Sequence, residues 1–184
     1  PGASLIEGLG RDGNLEAAEE VFRDLAAAGA SAGTLPHGAL IRARAWSLQT
    51  EKALAAADDA RAAGVAVSTG TFAEVLRAEV DVHRLPLIEQ KMRLFEVVLD
   101  AELRAALIAA YGRARRLDEA RRLISGLGDD DEDGLTAAVG ALALNGEHAE
   151  AARMFGRLSS PSRAAYAAAI GAEKSAVVRW RLKR

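Results

Sequence analysis

No cysteine occurs among the 184 residues, which removes disulfides, thiolate metal sites and cysteine nucleophiles together. Half of the chain is hydrophobic, yet only 4% is aromatic, so the apolar content is mostly Ala, Leu, Val and Ile. No run of β-branched or aromatic residues alternates with polar ones, and the strand signal is therefore missing. No apolar stretch is long enough to cross a membrane, and no secretory or transit segment is visible within these residues. The formal net charge is −2, so neither sign of charge dominates. These absences exclude a disulfide scaffold, an ordinary β domain and a helical membrane protein.

What the chain does have is repetition. "SLIEGLGRDGNLEAAEEVF", "AALIAAYGRARRLDEARRL" and "AAVGALALNGEHAEAARMF" run in register. Each has an aliphatic cluster, a Gly or basic turn, and a Leu/Glu/Ala-rich second segment. The aliphatic centres of the first segments are Ile6, Ile41, Leu76, Ile108, Val139 and Ile170, spaced by subtraction at 35, 35, 32, 31 and 31. The centres of the second segments, Ala18, Ala53, Ile88, Ala120 and Ala151, give 35, 35, 32 and 31. Two independent sets of anchors with one spacing define an array of similar units.

Ala and Leu lose little side-chain entropy in a helix. Leu15, Ala18, Phe22 and Leu25 fall at helical spacing, Glu16, Glu19 and Glu20 occupy early turns where negative charge suits the helix dipole, and Gly29 sits where the helix stops. The same grammar returns with Asp118 and Glu119 opening a helix whose apolar side is Leu117, Ala120, Leu123, Ile124 and Leu127. Gly13 and Gly146 occupy equivalent turns, and Arg115 replaces the glycine in the fourth unit. Each unit thus reads as a hairpin of two short antiparallel helices, marginal alone and stabilised by stacking on its neighbours.

The frame divides the chain into repeat 1 at 1–33, repeat 2 at 34–68, repeat 3 at 69–100, repeat 4 at 101–131, repeat 5 at 132–162, and the first helix of a sixth at 163–184. The whole is expected to be one all-α domain, a solenoid of helix–turn–helix hairpins. Neither end reads as the polar-faced cap of a solenoid, and the expectation is a piece of a longer protein.

Chemistry-bearing patterns are few. Gly8, Gly10 and Gly13 spell G-x-G-x-x-G, but no strand precedes them and Gly13 is the inter-helix turn, so no dinucleotide site is expected. His37, His83 and His148 lie in separate units at no metal-ligand spacing. No carboxylate stands isolated in an apolar setting suited to acid–base work. The expectation is no enzyme, no metal, no cofactor and no small-molecule substrate. An acidic run, Asp129, Asp130, Asp131, Glu132 and Asp133, separates the fourth and fifth hairpins. Lys174, Arg179, Arg181, Lys183 and Arg184 form a basic tail, with Trp180 available for stacking.

Ala106 to Ile124, "ALIAAYGRARRLDEARRLI", and Leu142 to Leu158, "LALNGEHAEAARMFGRL", resemble pentatricopeptide repeats. The tetratricopeptide pattern fits less well, because its Trp-and-Gly first-helix signature is absent. The drift from 35 to 31 and 32 residues is similar to arrays of mixed long and short pentatricopeptide repeats. The resemblance implies a right-handed superhelix whose first helices line an inner groove that binds single-stranded RNA, about one base per repeat. It also implies a role in organellar RNA metabolism, in mitochondrion or chloroplast.

In the family, the main base-reading residues are the fifth and the last of each unit. The frame puts these at Ala3 with Gly33, Gly38 with Ser68, Ala73 with Asp100, Ala105 with Asp131, and Thr136 with Ser162. Ala and Gly side chains offer no donor or acceptor, so Thr136–Ser162 is the one fully polar pair. The second residue, expected to wedge against bases, is Leu35, Gly70, Glu102, Asp133 and Ala164 in repeats two to six. Late in the first helix, where family arrays often carry a basic residue, stand Arg11 and Arg113, with Trp46, Asp81 and Leu144 equivalent in the other units. Backbone capture through Arg11 and Arg113 and stacking on Trp46 are the expected contacts. The alternative is a helical scaffold for protein partners. Convergence of Arg11, Arg42, Arg77, Arg104 and Arg113 on one face would favour RNA; a neutral groove with exposed aliphatics would favour a peptide.

Overall fold

The computed structural model describes residues 2–30, 33–163, 165–167, 169 and 170, and all regular structure among them is helical. Ala164 and the basic tail with Trp180 lie outside the described residues. Among the described residues the helices run in order as α1 (Gly2–Arg11), α2 (Leu15–Ala27), α3 (Thr34–Trp46), α4 (Thr50–Ala62), α5 (Thr69–Ala78), α6 (Leu85–Leu94), α7 (Ala101–Arg113), α8 (Leu117–Ile124), α9 (Glu132–Leu144) and α10 (His148–Phe155), and residues 163, 165–167, 169 and 170 are helical as well. A 3-10 turn, Val82–Arg84, precedes α6. Consecutive helices pack as hairpins, α1 with α2 through α9 with α10. The architecture is one of stacked helices in two compact units, Pro1–Val98 and Leu99–Arg184.

The repeat anchors are the core. Ile6, Ile41, Leu76, Ile108 and Val139, and likewise Ala18, Ala53, Ile88, Ala120 and Ala151, are each at most 1% exposed. Ile170 differs, at 49% exposed. In the first unit α1 packs on α3 and α3 on α5, while α2 lies against both α1 and α3. In the second unit α7 packs on α9, and α8 lies against both. First helices therefore form a layer in each unit, with second helices along one side of it.

The hairpin turns are closed by left-handed residues. Gly13 (φ 77°), Leu48 (58°), Arg115 (56°) and Gly146 (86°) each follow a first helix. The next N–H reaches back to the final turn: Asn14 N to Leu9 O, Gln49 N to Arg44 O, Arg116 N to Tyr111 O and Glu147 N to Leu142 O, all at 2.9 Å. This is the Schellman closure, which satisfies carbonyls that the helix end would otherwise leave without partners. The third hairpin closes differently. Glu79 N bonds to Val75 O, the chain runs extended at Glu79 and Asp81, and Asp81 Oδ1 accepts from His83 N at 3.0 Å to start the 3-10 turn.

Close approach of first helices depends on two glycines. A Cβ at Gly10 would lie 2.5 Å from Ala43 Cβ and 2.8 Å from its Cα, and one at Gly112 would lie 2.5 and 2.6 Å from the same atoms of Ala141. The α1–α3 and α7–α9 contacts are thus built alike, glycine against alanine.

Candidate nucleic-acid interface

Residue spacing on α3 separates the two sides of the first-helix layer. His37, Leu40 and Arg44 line a cavity of about 230 Å³ together with Glu19 and Phe22 of α2 and Ala56 of α4. Arg44 Nε donates to Glu19 Oε1 at 2.9 Å, so this stripe faces the second helices. Leu35, Gly38, Arg42 and Trp46 form another stripe; two residues of an α-helix differ by about 200° around its axis, so Arg42 and Arg44 point to opposite sides. The Arg42 stripe is the side the second helices leave open.

On that side of the first unit two polar chains cross the helices. Arg11 of α1 places its guanidinium 5.1 Å from the Trp46 ring centre, an attractive cation–π distance. Trp46 Nε1 donates to Glu74 Oε2 of α5 at 3.1 Å, and Glu74 Oε1 accepts from Arg77 Nη1 at 2.7 Å. The second chain centres on Arg42. Its Nη2 donates to Glu7 Oε1 of α1, and its Nη1 donates to Thr71 Oγ1 of α5 at 3.0 Å. Thr71 is held in turn by Ser68, whose Oγ lies 3.0 Å from Thr71 Oγ1.

Gly38 takes part by having no side chain: a Cβ there would lie 3.3 Å from both Arg42 Nη1 and Thr71 Oγ1. Ala73, at the same helix position in α5, is fully buried, and Ala3 in α1 is half-buried against the Ile6 core. Leu35 is 70% exposed.

The residues ending each repeat share a different geometry. Gly33, Ser68, Asp100 and Asp131 are the N-caps of α3, α5, α7 and α9. Ser68 Oγ accepts from Thr71 N, Asp100 Oδ1 from Leu103 N at 2.8 Å, Asp131 Oδ1 from Gly134 N at 2.8 Å, and Ser162 Oγ from Ala165 N at 3.2 Å. Ser and Asp are favoured in this position because their oxygens satisfy helix N–H groups that have no partner within the helix. The polar character of these residues is therefore accounted for by capping, whatever else they contact.

In the second unit the corresponding stripe is Glu102, Ala105, Ala109 and Arg113 on α7, and Asp133, Thr136, Gly140 and Leu144 on α9. Ala105 is buried, Thr136 and Arg113 are half-buried, and Leu144 is 55% exposed. Arg104 turns to Asp131, its Nη2 donating to Oδ2 at 2.5 Å. Both carboxylate oxygens of Asp131 are thus engaged, and its side chain is only 8% exposed. Asn145, next to Leu144, donates to Gly112 O at 2.8 Å and Ala141 O at 2.7 Å, tying α7 to α9.

Three of the five arginines singled out from sequence, Arg11, Arg42 and Arg77, share the open side of the first unit, each with a protein partner. Glu7, Thr71 and Glu74 escaped the sequence reading. The signal for Glu7 was present: it lies 35 residues before Arg42, the repeat interval, and so at the same helix position one unit earlier.

Among the described residues no group of three His, Asp or Glu side chains is gathered as a metal site would require. No helix there is long and apolar enough to cross a membrane. No curated protein matches the chain. A family model described as PPR repeat matches residues 4–29 and 106–129, the first spanning α1 and α2 and the second most of α7 with α8. With its stacked helical hairpins, the chain carries pentatricopeptide repeats at these two positions, and that repeat family is one of generally non-catalytic, RNA-binding proteins.

Proposed function

We propose that this chain is a single-stranded-RNA-binding repeat array, acting in organellar RNA metabolism (processing, stability, splicing, editing or translation) in the mitochondrion or chloroplast. The observation that carries the proposal is the Arg11–Trp46 pair on the open side of a layer that begins with a matched repeat. A guanidinium held over an indole brings a fixed positive charge beside an aromatic surface, the two groups a single strand uses for phosphate and base. Capture through backbone charge and stacking suits this chain better than reading by the fifth and last residues of each repeat. Those fifth residues are Ala or Gly in four of five units, and the last residues are committed to helix caps.

A second reading, a helical scaffold for a protein partner, is favoured by the internal neutralisation of Arg42, Arg77 and Arg104 by Glu7, Glu74 and Asp131. Retention of a randomised single-stranded RNA pool across salt concentrations separates the two. For RNA capture, the logarithm of the binding constant falls with log salt by about 0.7 per phosphate neutralised. The three groove arginines of the first unit contribute at most about −2 to that slope. Trp46→Ala weakens binding roughly fivefold or more if the ring stacks on a base. No retention at low salt retires RNA and leaves the protein scaffold.

A further inference from the structure

We infer that the Glu7–Arg42 pair is a base-reading site, and that the base it reads is guanine; the inference rests on the RNA-binding reading above. The site arises because repeat 2 has no side chain at its fifth position. Gly38 leaves open the space in which a Cβ would press on Arg42 Nη1 and Thr71 Oγ1, at 3.3 Å from each. Arg42 lies over that glycine, so the polar group at this point of the open face is a guanidinium rooted one helical turn further on.

The guanidinium is held from both sides, by Glu7 of α1 and by Thr71 of α5. Thr71 is itself fixed by Ser68. Three helices thus set its orientation, which lowers the entropy cost of using it in recognition. The pair is not sealed off: the Arg42 side chain is 18% exposed and that of Glu7 is 30%.

An arginine has five N–H donors and a carboxylate two oxygens with two lone pairs each. Arg42 gives one hydrogen from Nη1 to Thr71 and one from Nη2 to Glu7 Oε1, leaving Nε–H and a hydrogen on each terminal nitrogen. Glu7 Oε2 has no partner among the described residues. The pair therefore keeps donors on Arg42 and acceptor capacity on Glu7 side by side, in a place that solvent still reaches.

Its charges cancel, so it attracts a phosphate poorly and suits a neutral base edge. Guanine has the matching edge: N1–H and N2–H side by side as donors to the carboxylate, with O6 beside them as an acceptor for the guanidinium. Uracil offers a single such donor. Adenine and cytosine each offer only an exocyclic amine. Bases in single strands are open to contact along this edge.

The test is selection from a randomised single-stranded RNA pool with the wild-type chain, followed by binding of the selected RNA with inosine at the enriched position. Guanine is expected to be enriched at one position. Inosine, which lacks the N2 amine, is expected to weaken binding roughly tenfold, within the range for a two-point base contact. Glu7→Gln and Arg42→Lys are expected to erase that enrichment while RNA is still retained. The inosine comparison uses unaltered protein, so a variant that folds poorly does not decide the outcome. RNA retained with no guanine preference, or inosine bound as well as guanine, overturns the pair as a reader but leaves RNA binding standing. No RNA retained at low salt overturns both.

Discussion

The two units carry the same helix positions on the open side of their first-helix layers and fill them with different chemistry. In the first unit these positions hold Glu7, Arg11, Arg42, Trp46 and Arg77, joined across α1, α3 and α5 by ion pairs, a cation–π contact and an indole hydrogen bond. In the second unit they hold Glu102, Ala105, Ala109 and Arg113 on α7 and Asp133, Thr136, Gly140 and Leu144 on α9, while Arg104, off that stripe, is tied to a helix cap. Beneath the surface the units are alike, with Gly10 against Ala43 in one and Gly112 against Ala141 in the other. The packing that stacks hairpins has thus been kept while the exposed stripe has diverged. On the proposed RNA-binding reading, the linked side chains of the first unit carry the recognition.

The sharpest way to break this comparison is to disturb the shared packing. Gly10→Ala and Gly112→Ala put a methyl group against the Cβ and Cα of the facing alanine. Backbone cannot swing aside as a flexible side chain can, so each substitution is expected to destabilise its unit by about 1–3 kcal/mol. Gly8→Ala and Gly140→Ala are the controls, with nothing within 4 Å of the added carbon. Both sit inside helices, where replacing glycine by alanine stabilises by roughly 0.5–1 kcal/mol. Denaturant melts of the four variants should give opposite signs for the two pairs; equal effects would remove the glycine–alanine contact as the basis of stacking.

The hairpin turns give a smaller effect. Leu48 and Arg115 hold the left-handed conformation that glycine holds at Gly13 and Gly146. A side chain in that conformation costs about 1 kcal/mol, and both side chains are exposed. Leu48→Gly in the first unit and Arg115→Gly in the second are each expected to raise the melting temperature by a few degrees, with less gain at Arg115. There the guanidinium of the following residue, Arg116, rests on Tyr111 at 4.9 Å and already steadies the turn.

Most of the fold was legible in the sequence because helix-forming residues recur at a fixed interval. The anchors chosen for spacing, Ile170 apart, proved to be buried, since one interval returns each hairpin to an equivalent place in its stack. Arg115 could be placed in a turn because its neighbours align with Gly13 and Gly146. The third hairpin was harder. Asp81 aligns with Arg11 and Trp46, but α5 has already ended at Ala78, so Asp81 starts the 3-10 turn instead of standing on the open face. The site was less legible than the fold. Whether Arg42 turns to Glu7, or Trp46 to Glu74, depends on rotation between stacked helices, which pattern in a single helix does not encode. In the sequence Ser68, Asp100 and Asp131 stood only as base-contact positions, and it is their hydrogen bonds that give them a capping role.

The smallest expected effect lies in the second unit, in the acidic run that begins α9. Glu132 Oε1 accepts from Ser159 Oγ at 2.5 Å, from Ser159 N at 3.1 Å and from Ser160 N at 3.4 Å. The Ser159 hydroxyl is the main influence that holds the Glu132 carboxyl below its ordinary value, with the two backbone N–H groups adding to it against an opposing desolvation. A folded-state value below the unfolded one means that the unfolded chain binds the proton more readily as pH falls. The contribution is therefore present above the unfolded value, near 4.5, and is lost as pH drops through the folded one. Ser159→Ala removes the hydroxyl donor, so its melting temperature should lie slightly below that of the wild type at neutral pH. The gap should narrow in acid, where Glu132 is protonated in both proteins. Because this loop belongs to the second unit alone, the open face of the first should bind RNA unchanged in the same variant. A loss of RNA affinity there would mean that the second unit takes part in recognition after all.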